Sequence, residues 1–261
     1  MVLSYAYCNV SAMPMRREPS HSSEQVNEVL FGERVEVLDI DDRDWALIRC
    51  EWDEYEGWCK TGQLTLISKK EYMKAAKYII THPGAKLLFE EGEMWLPAGA
   101  ELTGLKNSRI SIYDKPGKFK GKKQPVKDLE TSADLLLKYA TQYLNTPYIW
   151  GGRSSKGIDC SGLTQMAYKL CGKTISRDAS QQAMEGETVD FLQHARCGDL
   201  AFFDNAEGRI VHVGFLIDAH TILHATETSG RVVIDRIDPG GIISRTLKKR
   251  THNLRLIKRY Y

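Results

Sequence analysis

The sequence predicts an α+β protein in which all-β modules precede a domain of mixed helices and strands. Three observations carry this. Up to about residue 67 the text is strand-like, with turn residues between short alternating runs. Ala133, Leu136, Leu137, Ala140 and Leu144, and then Leu163, Met166, Ala167 and Leu170, recur at the spacing of helices that bury one face. Finally, Ile210 to Ile217 and Thr221 to Ala225 are apolar, β-branched runs that read as strands of a buried sheet.

In chain order, Met1 to Cys8 reads as the first strand. Val35 to Leu38, Trp45 to Cys50 and Gly57-Trp58-Cys59 follow, with Gly32-Glu33 and Asp41-Asp42 as turns. A second β-rich stretch opens with a helical patch, Lys70 to Lys77. Its candidate strands are Lys86 to Phe89, Glu93 to Leu96 and Ile110 to Tyr113. Pro116-Gly117 and the lysine-rich run Lys118 to Lys123 read as a solvated linker. The chain of 261 residues thus divides into 1–67, 68–126 and 127–261.

A net charge of +2 carries no nucleic-acid footprint. The basic stretches Leu247 to Arg250 and Arg255 to Arg259 are read as a solvated strand edge. There is no apolar stretch of membrane-spanning length and no charged-then-apolar leader pattern, so no membrane partner is expected. The six cysteines have no Cys-x-x-Cys spacing, which argues against a metal site. A reduced, cytoplasmic chain is expected, with a periplasmic or secreted one, its leader removed, as the alternative.

One segment carries chemistry. Gly151-Gly152-Arg153-Ser154-Ser155-Lys156-Gly157-Ile158-Asp159-Cys160-Ser161-Gly162 sets a cysteine between a glycine-rich loop and a helix start. There the positive end of the helix dipole and unpaired N–H groups favour thiolate, the nucleophilic form. A thiol nucleophile needs a base. Alternation puts His212, Gly214 and Leu216 on one face of their strand, and His224 ends the next apolar run. Neighbouring strands would then set two imidazoles side by side, His212 taking the thiol proton and His224 orienting His212. Singly, each of these residues would pass for a buried structural group; together they read as a catalytic constellation.

The segment around residues 127–261 resembles the NlpC-type cell-wall cysteine peptidases. The likeness rests on Asp159-Cys160-Ser161-Gly162, Val211-His212-Val213-Gly214, Leu223-His224-Ala225, Pro147-Tyr148-Ile149-Trp150-Gly151-Gly152 and Gly198-Asp199-Leu200-Ala201-Phe202-Phe203. The resemblance implies a papain-like α+β domain, an antiparallel sheet packed on helices, with Cys160 as nucleophile, His212 as base and His224 as third residue. Tyr148 would support the oxyanion beside the Cys160 amide. Leu30-Phe31-Gly32-Glu33 and Tyr55-Glu56-Gly57-Trp58 resemble a bacterial SH3 barrel, and residues 68–126 a second, more divergent one.

Two such barrels before the peptidase resemble the γ-D-glutamyl-L-diamino acid endopeptidases of murein-peptide recycling. That subgroup implies a stem peptide L-Ala-γ-D-Glu-L-diamino acid with a free N-terminus; thiolate, imidazole and oxyanion donors supply the chemistry, so no cofactor is expected, and a monomer is expected. Asp159 would pair with the L-Ala ammonium, and the first barrel would cap the cleft, with Tyr55 facing the site and Glu24 or Glu28 helping it at the amine. Ser161, Arg177 and Asp178 would hold D-Glu and its α-carboxylate. Ala179 stands where the family often has serine, with Ser180 following, which bears on selectivity. An exported hydrolase of intact peptidoglycan with wall-anchoring barrels, a thiol acyltransferase on the same scaffold and a decayed binding module remain open alternatives.

Overall fold

The computed structural model describes residues 1–112 and 114–261, and no helix among them is long and apolar enough to cross a membrane. The chain forms two compact units: residues 1–129 with 150–155, and residues 130–149 with 156–261.

The first unit begins with β1 (Ser4–Cys8), β2 (Ala12–Arg16), β3 (Gln25–Leu30), β4 (Arg34–Ile40), β5 (Trp45–Cys50), β6 (Glu56–Lys60) and β7 (Leu64–Ile67). They form one sheet in the order β3-β2-β6-β5-β4-β1-β7. Alternation places Ala6, Cys8, Met13, Met15, Val35, Val37, Ala46, Ile48 and Cys59 in its core. Cys8, Cys50 and Cys59 are free and buried there, and burial pushes the Cys59 thiol up to about 12. They are small apolar fillers, inert as nucleophiles.

The helical patch is shorter than its pattern suggests. It is a single turn, α1 (Lys69–Tyr72), held by Ser68 as N-cap with Glu71 reciprocating. The next strands are β8 (Tyr78–Ile79), β9 (Ala85–Phe89), β10 (Gly92–Leu96), β11 (Glu101–Leu102), β12 (Arg109–Ile112), β13 (Lys115–Lys120) and β14 (Gln124–Pro125). Two sheets result, β10-β9-β13-β12 and β11-β8-β14. Position 113, the expected end of β12, lies outside the described residues. Of the run read as a solvated linker, residues 116–120 lie in β13, an inner strand paired to both β9 and β12, while 121–123 are exposed and outside it. Gly117 and Phe119 point inward while Lys115, Lys118 and Lys120 are exposed, so half of a lysine-rich strand masquerades as a linker.

Phe31, from the turn after β3, packs into the core of this second region beside Ile80, Leu87 and Leu102. The Glu101 N–H donates to the Phe31 carbonyl at 2.8 Å. Gly32 sits at φ +80°, and a Cβ there would lie 2.0 Å from the Glu101 carbonyl oxygen, so only glycine fits. The same unit holds β15 (Arg153–Ser154). Arg153 is buried against Glu33, with nitrogen–oxygen distances of 3.0 and 3.1 Å, and its amide donates to Glu28 at 2.8 Å. Glu24 accepts the Trp150 indole N–H at 2.8 Å.

The second unit contains α2 (Ala133–Thr141), β16 (Gly157–Ile158), α3 (Cys160–Leu170) and α4 (Ala179–Gln182). Its strands are β17 (Glu187–Val189), β18 (Leu200–Asp204), β19 (Ile210–Leu216), β20 (Thr221–Thr226), β21 (Arg231–Asp238), β22 (Gly241–Ile243) and β23 (Arg250–Arg259). The sheet runs β17-β23-β18-β19-β20-β21-β22, and β22 also pairs with β23, so the strands close on themselves. The basic C-terminal stretch is therefore a strand paired to β17, β18 and β22 and not a sheet edge. Helix α2 buries Leu136, Tyr139 and Ala140, whereas Leu144 lies beyond its end and is 38% exposed. Helix α3 packs against α2, β19 and β20. Every one of its residues is buried, the polar Thr164, Gln165 and Lys169 included, so its amphipathic pattern understates its burial.

The β19–β20 register pairs Phe215 with Leu223 and Leu216 with Ile222, which carries Gly214 opposite His224. A Cβ at Gly214 would lie 2.8 Å from the His224 Cβ and 2.9 Å from Ile222 Cδ1. Gly214→Ala should therefore lower stability by about 1–3 kcal/mol, the cost of overpacking. Urea unfolding checks this; an unchanged midpoint would show that the two strands can part without cost.

Candidate active site

Cys160 is the first residue of α3, and Asp159 is its N-cap, accepting the Gly162 N–H at 2.7 Å. Asp159 is buried, and a buried carboxylate requires a counter-charge. Arg177, itself 2% exposed, supplies it through both arms, Nη2 to Oδ2 at 2.6 Å and Nη1 to Oδ1 at 3.0 Å. Nη1 also donates to Ser161 Oγ at 2.8 Å. Asp159, Ser161 and Arg177 thus form one buried cluster around the start of α3. Asp178 is the N-cap of α4, its amide 3.4 Å from Gln181 Oε1. Ala179 is buried and Ser180 exposed. Gln182 ties α4 back to α3, accepting from Thr164 at 2.7 Å and donating to the Ser161 carbonyl at 3.2 Å.

The two histidines meet as the strand alternation places them. His212 Nε2 and His224 Nδ1 are 2.8 Å apart, with the rings nearly perpendicular. Two further residues escaped the sequence reading. Asp235 on β21 lies 3.2 Å from His224 Nε2 through Oδ2, while its Oδ1 accepts the Arg245 N–H at 2.7 Å. His252 on β23 stacks on His212 with ring centroids 4.2 Å apart. A carboxylate inside the β-branched run Arg231 to Asp235 was a signal in the text; for His252, set in a basic stretch, there was none.

Burial sets the resting charge. The Cys160 thiol is pushed up to about 12, first by burial and then by the Asp159 carboxylate, against the Val213 and Ser161 amides and Arg177. This corrects the expectation of a ready thiolate: the helix terminus is present, but desolvation outweighs it. His212 is held well below its usual range by burial and by its neighbours His252 and His224. Both shifts favour a neutral thiol on Cys160 and a neutral imidazole on His212. Tyr148, whose amide donates to the Gly230 carbonyl at 2.8 Å, has its phenol pushed up by burial and by the nearby Cys160 and Asp159. It stays protonated and able to donate. Tyr55 belongs to the first unit, partly buried against its barrel core.

A cysteine at a buried helix start, paired histidines on adjacent strands and a protonated tyrosine are the groups that thiol peptidase chemistry needs, and the comparisons make the chain a cysteine peptidase. Residues 145–251 match the NlpC/P60 family and residues 15–64 match the bacterial dipeptidyl-peptidase SH3 domain. The chain therefore carries an NlpC/P60 peptidase domain behind a bacterial SH3 domain. It is 29% identical over 223 residues to the gamma-D-glutamyl-L-lysine dipeptidyl-peptidase of Bacillus subtilis, covering 79% of this chain and 74% of that one. It is 26% identical over 248 residues to dipeptidyl-peptidase 6 of Lysinibacillus sphaericus, covering 85% and 87%. The crystal structure of an NlpC/P60 family protein from Bacillus cereus shares the fold, with TM-score 0.82 and 23% identity over 98% of this chain and 99% of that one.

Burial holds His252 down at about 4, helped by His224 and opposed by Asp235. Unfolded histidine takes its proton near 6.5. The folded state thus binds fewer protons, and stability present above about pH 6.5 should be lost as pH falls towards 4, by at most ~3 kcal/mol for this group. Urea midpoints measured across that range should fall less steeply in His252→Gln; an equal slope would show that His252 is not held neutral.

Proposed function

We propose that this enzyme is a γ-D-glutamyl-L-diamino acid endopeptidase of murein-peptide recycling, acting on stem peptides with a free N-terminal L-Ala. The observation that carries the chemistry is Cys160 at the start of α3 with the His212–His224 pair on β19 and β20. What points to the bond is the likeness over most of the chain to two dipeptidyl-peptidases, one named for γ-D-glutamyl-L-lysine.

Cys160 Sγ attacks the γ-carbonyl of D-Glu while its proton passes to His212. The oxyanion is met by the Cys160 amide, which at the first helical position has no intrahelical acceptor, and by the Tyr148 phenol. Collapse breaks the C–N bond, and the departing amine takes the proton from His212. The Cys160 thioester remains. Water, giving a proton to His212, then cleaves it; L-Ala-D-Glu leaves and the thiol is restored.

In this reading Asp159 is shared between Arg177 and the substrate ammonium, and a charged partner for a desolvated ammonium is what recognition requires. Ser161 and the Arg177-Asp178 segment help hold the D-Glu residue and its α-carboxylate, and Tyr55 discriminates against acylated N-termini. Buried Ala179 cannot supply the hydroxyl that a serine would, so selectivity rests on the remaining groups. The reading takes residues 1–67 as the capping barrel, 68–126 as a second SH3-like barrel and 127–261 as the papain-like peptidase. It treats the enzyme as a cytoplasmic monomer.

Two peptides test this by mass spectrometry: L-Ala-γ-D-Glu-L-Lys-D-Ala and its N-acetylated form, with Cys160→Ala as control. Cleavage of the free-amine peptide alone, absent in the control, is expected. Equal cleavage of both would discard the free-amine requirement and favour intact peptidoglycan as substrate. Tyr55→Ala should raise KM for the free-amine peptide more than it lowers kcat. Unchanged kinetics would remove Tyr55 from recognition.

A further inference from the structure

The hydrogen-bond chain from Asp235 to His212 has a direction, and we propose that Asp235 is the positioning residue that sets it. A carboxylate only accepts hydrogen bonds, so the 3.2 Å contact at Asp235 Oδ2 requires the proton on His224 Nε2. A neutral His224 then has a bare Nδ1, which accepts across the 2.8 Å contact from His212 Nε2–H. A neutral His212 in turn has its lone pair on Nδ1, the one ring nitrogen left to meet the thiol. Asp235, two residues removed from the reaction, thereby decides that His212 is a base and not a donor. The inference rests on Cys160 as the nucleophile but not on the identity of the substrate.

Two features support it. Burial opposes the charge on Asp235, but the His224 contact, the Arg245 N–H and the Arg245 side chain outweigh it and hold the carboxyl below its ordinary range. The groups facing this chain are His224 on β20, Arg245 after β22 and His252 on β23. His252 is held neutral, so it brings no competing charge. Second, the Arg245 N–H at 2.7 Å on Oδ1 fixes which side of the carboxylate faces which neighbour. An asparagine at this position must turn its oxygen to Arg245 and its NH₂ to His224. That reverses every proton in the chain and leaves His212 Nδ1 protonated towards Cys160.

The experiment is nitrogen NMR of the intact protein, with iodoacetamide labelling of the Cys160 peptide followed by mass spectrometry. In the wild type, both His212 and His224 should carry their proton on Nε2; protonated Nδ1 on either would overturn the assignment even if no variant folds. In Asp235→Asn, both protons should move to Nδ1, alkylation of Cys160 should slow at least ~10-fold, and kcat should fall by about 10²–10⁴, the worth of a general base. A folded variant that keeps Nε2 protons and wild-type alkylation would also overturn it. Tautomer and alkylation need no peptide, so a wrong substrate leaves this test standing.

Discussion

The start of α3, and with it Cys160, is held in place by the buried pairing of Asp159 with Arg177. Asp159 caps α3 and accepts both arms of Arg177, while Ser161 takes one of the same nitrogens. A helix fully enclosed by neighbouring elements needs its first-turn donors satisfied internally, because no solvent reaches them. Removing either partner of such a pair strands the other charge in a low-dielectric interior, a loss of about 3–5 kcal/mol. The position of Cys160 thus depends on a carboxylate and a guanidinium that sit well apart in the chain.

The same burial that fixes the cluster governs the chemistry. Desolvation penalises the charged forms of the thiol and of His212 together, so neither ionises at rest. Against that penalty, the Val213 and Ser161 backbone and the Arg177 charge favour the thiolate, but burial outweighs them. The sheet supplies the imidazoles. The diagonal placement of His212 on β19 and His224 on β20 brings the rings together, and Gly214 between them leaves room for the second ring.

The first unit shows how a polar surface text conceals packing. In β13 the lysines project outward while Phe119 enters the core, so composition alone reads the strand as a linker. Phe31, from the turn after β3, enters the core of the next sheets, and its carbonyl accepts the Glu101 N–H. Arg153, written in the glycine-rich loop, is buried against Glu33.

By itself the sequence determined what depends on local spacing. Helix periodicity located α2 and α3, alternation put His212 and Gly214 on one face, and the order glycine loop, Asp159, Cys160 marked a helix start bearing a thiol. Each of these is a relation between residues a few positions apart, where backbone geometry alone dictates direction. The tertiary structure decided what depends on contact between distant segments. It set Arg177 on Asp159, brought Asp235 and His252 to the histidines, and closed the strands so that the basic C-terminal segment became an inner strand. It also reversed the expected ionisation of Cys160, because a helix terminus favours thiolate only as far as solvent or counter-charge permits, and that balance is fixed by burial.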